Sequence, residues 1–225
     1  MVTAHVREDI TGDCVNWGVI EARTGQPASY EALYQHFRVE VPARYNMAAD
    51  TVLRHARTEH ASAPALVSEA DDGTVAEVSY AQLDLASARV AALLRAHGIG
   101  RGDVISCYLG QGVEAALTYL AGFRLGAIVA PLSQLYGPDT VVHALKDSRA
   151  KLLVTDDALW GRIAHQRAAF PNLSTVLVSG HAPRGTHSLD DWHDTDPYLP
   201  CADTAANDPT LLLYTSGSTG LPKGI

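Results

Sequence analysis

At 225 residues the chain has room for one large α/β domain, or one domain with an extension. With 47% hydrophobic and only 19% charged residues it can fill a core and does not read as disordered. Its formal net charge of −8 leaves no basic field for nucleic acid or for an anionic membrane surface. No stretch approaches the roughly 18 to 20 apolar residues that cross a bilayer, and the start, Met1 to Asp9, lacks the apolar core of a signal peptide.

Cys14, Cys107 and Cys201 are odd in number and far apart, with no CxxC pair, which predicts reduced thiols and a cytoplasmic location. The sequon at Asn172-Leu173-Ser174 is idle without a secretion signal. His181, His187 and His193 are evenly spaced, but the spacing fits neither an i, i+4 helical pair nor a Cys/His finger, so no metal site is expected.

Along the chain, residues 1–45 are polar and aromatic without a steady period, and predict a short helix and extended arms lying on the main body. Pro42 and a cap at Asn46 then introduce a helix that places Val52, Leu53 and Ala56 on one face. Ala65–Val67 and Val75–Val78 read as two strands joined at Asp72-Gly73. Ser79-Tyr80-Ala81-Gln82 is a capping box opening a helix through Leu83, Ala86, Val90, Leu93 and Leu94, which Gly98 stops.

From residue 104 the pattern turns regular. Strands at 104–109, 128–132, 152–155 and 175–178 alternate with helices marked by Val113, Leu117, Leu120 and Arg124, by Pro138 to Ser148, and by Ala158 to Ala168. Short apolar runs alternating with helices predict an α/β fold with a doubly wound, mostly parallel sheet covered on both faces. Residues 180–209, rich in Pro, Asp, His and Gly, read as an excursion over the surface.

A last strand, Leu211-Leu212-Leu213-Tyr214, is predicted to be buried and to run straight into Thr215-Ser216-Gly217-Ser218-Thr219-Gly220-Leu221-Pro222-Lys223-Gly224, which should fold back as a solvent-facing loop. Glycines let several backbone N–H groups point into one concavity, an anion nest. Thr215, Ser216, Ser218 and Thr219 add hydroxyl donors, Lys223 adds a mobile positive charge, and Pro222 stiffens the approach to it. A polyphosphate uses all of these at once.

In its order of residues, Tyr214 to Gly224 resembles the signature loop of the adenylate-forming enzymes: acyl-CoA synthetases, amino-acid adenylation domains and luciferases. It is not a Walker A loop, because Gly follows the Lys. Val78 to Leu83, Gly98 to Val104, Arg124 to Leu132 with Tyr136 to Asp139, and Tyr34 to Phe37 with Val41 to Asn46 are similar to the acetyl-CoA and medium-chain acyl-CoA synthetase branch. Coverage runs from about residue 30 to the end.

The resemblance implies an arm over 1–45 and, over 46–225, the N-terminal portion of an AMP-binding (adenylation) domain, with the sheet incomplete. It implies a ligase that joins a carboxylic acid to ATP, releasing pyrophosphate, and then exchanges AMP for the thiol of coenzyme A or of a carrier protein. Thr215, Ser216, Gly217, Ser218, Thr219, Gly220 and Lys223 would hold the ATP phosphates, with Mg²⁺ sharing their charge. Because the sequence stops at Ile225, the catalytic residues and most of the acyl pocket are expected beyond it, and the chain reads as an N-terminal fragment inactive alone.

Two rivals stand beside this. Gly110-Gln111-Gly112-Val113-Glu114-Ala115 formally matches a dinucleotide fingerprint and would suit an oxidoreductase, yet the next strand, Ile128 to Leu132, carries no acid for a ribose. The other is a nucleotide- or partner-binding remnant without catalysis, which an exposed apolar patch would favour. Arg101-Gly102-Asp103 reads as a helix-to-strand turn, and Tyr108, Tyr119, Phe123 and Tyr136 as core or interface aromatics.

Overall fold

The computed structural model describes Glu31, Tyr34 and residues 41–70, 72–198, 200–215 and 221–225. Asn46 caps as its side chain predicts: its Oδ1 accepts from the N–H groups of Ala48 and Ala49 at 3.1 and 3.3 Å. The helix it opens begins wider than an ordinary one, with a π-turn at Ala49–Leu53 running into α1, Arg54–Ala56. Val52 and Leu53 are buried there.

Next comes the antiparallel hairpin of β1, Pro64–Glu69, and β2, Val75–Ser79. Gly73 takes φ 81°, a left-handed conformation suited to glycine, and Asp72 accepts from Thr74 N–H at 2.9 Å. The capping box is present: Gln82 N–H donates to Ser79 Oγ at 3.3 Å while Ser79 N–H donates to Gln82 Oε1 at 2.9 Å. It opens α2, Tyr80–Ala96.

Then the regular part begins: β3 (Val104–Tyr108), α3 (Val113–Leu125), β4 (Ile128–Pro131), α4 (Pro138–Asp147), β5 (Leu152–Asp156), α5 (Asp157–Ile163) with a 3₁₀ turn Ala164–Ala169, and β6 (Thr175–Ser179). The expected excursion over 180–209 also holds structure that its polar composition hid. It carries a short strand, β7 (His187–Ser188), and a 3₁₀ turn, Leu189–Asp194, which buries Leu189. These five strands form one parallel sheet in the order β4-β3-β5-β6-β7.

Strand alternation sorts the core onto two faces. Ile105, Leu152, Val154 and Leu177 pack with Val90, Leu94, Leu117 and Ala121 of α2 and α3. Tyr108, Leu153, Val176 and Val178 pack with Val141, Leu145, Trp160 and Ile163 of α4 and α5. The sheet is therefore doubly wound, as the sequence pattern predicts.

Arg124 is fully buried between α2 and α3, where it pairs with Asp84 and lies 3.4 Å from Ser87 Oγ. Gly122 lets α3 approach β4, since a Cβ there would sit 2.5 Å from Val129 Cγ2. The strap over 200–209 closes the same face. Ala202 N–H donates to Arg124 O at 2.7 Å, and Tyr45 N–H donates to Thr204 O at 2.9 Å.

Candidate phosphate-binding site

Beyond β4 the chain returns along the sheet edge. Val129 N–H donates to Thr210 O and Leu212 N–H to Val129 O, both at 2.9 Å, so residues 210–212 run parallel to β4 through one bridge, Val129 to Leu211. The segment thus leaves the sheet at the edge formed by the C-terminal ends of the strands, where open α/β sheets bind ligands. One expectation needs correcting: this strand is not buried. Leu211 is 39% and Leu213 47% exposed, because β4 covers it on one side alone, whereas Leu212 is half-buried against the core and Tyr214 is buried, at 6%.

From there the chain folds back. β8 (Tyr214–Thr215) pairs antiparallel with β9 (Lys223–Gly224), Tyr214 opposite Gly224 and Thr215 opposite Lys223. Leu213 and Ile225 extend the ladder with two reciprocal 2.9 Å hydrogen bonds. Residues directly opposite in such a pair project from the same face. Tyr214 and Gly224 therefore share the inner face, and Thr215 and Lys223 share the outer one, where both are exposed. Gly224 sits close to this face, since an added Cβ would lie 2.9 Å from Leu212 Cδ1 and 3.4 Å from Tyr214 Cζ.

The inner face is held by α4 and by the turn before it. The Tyr214 hydroxyl donates to Asp147 Oδ2 at 2.8 Å, and its carbonyl accepts from the Tyr136 hydroxyl at 3.0 Å. His143 Nε2 is 2.9 Å from Pro222 O, and its ring meets that of Tyr214 edge-on at 6.4 Å. Burial first, and then the bond to Asp147, hold the Tyr214 phenol protonated, with its pKa above the ordinary value. Arg162 in turn fixes the 134–136 turn by donating to the carbonyls of Gln134 and Tyr136, each at 2.8 Å.

Of the residues the sequence nominates, Thr215 and Lys223 are brought together on one face. Ser216, Gly217, Ser218, Thr219 and Gly220 lie outside the described residues. Tyr136, His143 and Asp147 were not nominated for the site. The available signal was a His and an Asp four residues apart on one helix face, just after a tyrosine, and it has meaning only once the hairpin is known to lie there.

The rival glycine turn has a plainer role. Gly112 is extended, with φ 169°, and Gly110 lies close under Gln134, whose Oε1 would be 3.2 Å from an added Cβ. Among the spaced histidines, His187 packs on His97 at 4.6 Å and His193 stacks on Trp192 at 3.7 Å, so their rings are occupied in packing. Arg101–Asp103 is the predicted turn, with Gly102 at φ 79° and Asp103 Oδ2 accepting from Gly100 N–H at 2.9 Å and Lys151 Nζ at 2.8 Å.

Several known proteins are similar to this chain. The acetyl-coenzyme A synthetase of Sodalis glossinidius (strain morsitans) is 34% identical over 206 residues, covering 80% of this chain and 30% of that protein. The acetyl-coenzyme A synthetase of Yersinia pseudotuberculosis serotype O:1b (strain IP 31758) is 30% identical over 234 residues, covering 95% of this chain and 36% of that protein. The chain thus spans about a third of the length of the curated relatives it matches. In three dimensions it resembles the crystal structure of an anthranilate CoA ligase in complex with anthranoyl-AMP, with a TM-score of 0.73 and 26% identity over 82% of this chain and 35% of that one. The family profile described as AMP-binding enzyme matches residues 53–225, and the chain belongs to that family.

Proposed function

We propose that this chain is part of an AMP-forming acid–CoA ligase. Such an enzyme condenses a carboxylic acid with ATP to an acyl-adenylate and pyrophosphate, and then transfers the acyl group from AMP to the coenzyme A thiol. The observation that carries the reading is the hairpin stem. It sets the Thr215 hydroxyl and the Lys223 ammonium on one exposed face, with the intervening Ser216, Gly217, Ser218, Thr219 and Gly220 between them in sequence. In this reading Thr215 and Lys223 flank the triphosphate and the loop's amides and hydroxyls face its oxygens.

Reaction at phosphorus needs positioning and charge neutralisation more than covalent help, and hydroxyls, amides and one lysine supply those. Mg²⁺ would share the triphosphate charge. The described residues contain no group of three metal-ligating side chains, so no side chain of this chain is assigned to the ion. The division into an arm over 1–45 and an adenylation domain over 46–225 belongs to the same proposal. So does a cytoplasmic location, which is supported by the free thiols of Cys107 and Cys201.

The test is acid-dependent exchange of labelled pyrophosphate into ATP by the natural gene product. The panel should run from acetate to aromatic acids, since the relatives' names span both. Exchange should require one of these acids and fall about a hundredfold in Lys223→Ala. Exchange that ignores the acid, or that survives Lys223→Ala intact, contradicts the proposal. The 225-residue chain expressed alone is expected to bind MgATP weakly and to catalyse no exchange.

A further inference from the structure

A glycine- and hydroxyl-rich loop loses much conformational entropy when it is ordered around an anion. Affinity then depends on how firmly its two ends are already fixed. In this chain both ends are held by one short stretch of a different part of the fold. Tyr136 donates to the main chain of the outgoing strand, and Asp147 accepts from that strand's tyrosine. His143 meets the carbonyl of Pro222, just before the returning strand.

The helix makes this possible. His143 and Asp147 stand four residues apart on α4 and so face the same way, while Tyr136 lies just ahead of its first turn. The hairpin ladder alone gives little fixation, since even with the Leu213–Ile225 pair it is three residue pairs long and short hairpins are marginal in water.

We propose that Tyr136, His143 and Asp147 are positioning residues, which fix Tyr214 and Pro222 at the two ends of the hairpin stem so that Thr215 and Lys223 are held in place for the ligand. The inference rests on the phosphate-binding reading of Thr215 and Lys223 and goes beyond it, by assigning roles to residues that touch no ligand. Each bond contributes a modest amount, so removing one should weaken ligand binding by about three- to tenfold.

The experiment is titration of the 225-residue chain with MgATP, read as a dissociation constant and paired with a thermal midpoint for each variant. Tyr136→Phe, His143→Ala and Asp147→Ala should each weaken binding. Asp147→Asn and His143→Gln, which keep an acceptor and a donor, should bind nearly as the parent does. Loss of stability alone would reduce the folded fraction and leave the dissociation constant of the folded protein unchanged, so the rescue pattern separates positioning from folding. If an alanine variant fails to fold, the comparison of Tyr136→Phe with the parent decides the matter.

Two failures are distinguishable. If the parent does not bind MgATP, or binds no better than Lys223→Ala, the phosphate reading falls and this inference falls with it. If Lys223→Ala weakens binding while Tyr136→Phe and the alanine variants match the parent, the positioning role alone is overturned.

Discussion

Leu153 of β5 and Leu213 of the edge segment are the same residue in similar apolar runs, yet the first is fully buried and the second is 47% exposed. The difference is position in the sheet. β5 has strands on both sides and helices on both faces, so every apolar side chain finds a wall. The segment at 210–213 touches β4 through one bridge and shows its outer face to solvent. An apolar run therefore reports that a strand exists, but not how much of it is covered. The edge region carries the candidate site, whereas the central region supplies the rigidity that holds it.

The largest effect expected at the edge is on chemistry. On the proposed function, Lys223→Ala should slow acyl-adenylate formation by the enzyme about a hundredfold. Thioester formation from supplied acyl-adenylate should change little, because the β and γ phosphates have left by then. Measuring pyrophosphate release and thioester formation separately checks this, and an equal loss in both would break the assignment.

The largest effect expected in the central region is on stability. Asp84→Ala removes the carboxylate that pairs with the fully buried Arg124 guanidinium and should cost roughly 2–4 kcal/mol. Leu153→Ala should cost about 2–5 kcal/mol, against less than about 1 kcal/mol for Leu213→Ala. Denaturant midpoints test both, and equal costs at Leu153 and Leu213 would erase the contrast between the regions. Smaller again is a glycine pair. Gly122→Ala forces a Cβ onto Val129 and should destabilise by about 1–3 kcal/mol. Gly161→Ala, in helix α5 with nothing within 4 Å of the new methyl, should stabilise by roughly 0.4–1 kcal/mol.

These contrasts also show what the sequence made legible. The alternation over 104–178 gave the parallel sheet and its helices because burial on both faces leaves one kind of pattern. The Ser79 box was readable because capping is a local event, complete within four residues. β7 was not readable, because two polar residues become a strand only by lying beside β6. Exposure of Leu211 and Leu213 was not readable either, since it depends on how many neighbours the edge has. Thr215 and Lys223 are candidates by a local motif, and the hairpin pairs them in space. Tyr136, His143 and Asp147 are tertiary partners from about seventy residues earlier, and nothing near them in the sequence says what they hold.

A last contrast, absent at neutral pH, concerns the central region alone. Burial pushes the Cys107 thiol from 9.0 up to about 12, so the folded chain keeps a proton that the unfolded chain releases. This contribution to stability is complete below pH 9 and declines as pH rises from 9 towards 12. Cys107→Ala should flatten that decline in a series of denaturation curves. At neutral pH, thiol alkylation of the folded chain should spare Cys107 and label half-buried Cys201 faster.

The most direct test of the account is the location of the bound nucleotide. Amide chemical shifts of the isotopically labelled chain, followed while MgATP is added, report binding residue by residue. The account predicts that the perturbations concentrate from Thr215 to Lys223 and weaken as salt is raised, as contacts made to phosphate should. Perturbations centred instead on Gly110 to Glu114, at the start of α3, would move the nucleotide to the rival glycine turn and contradict it.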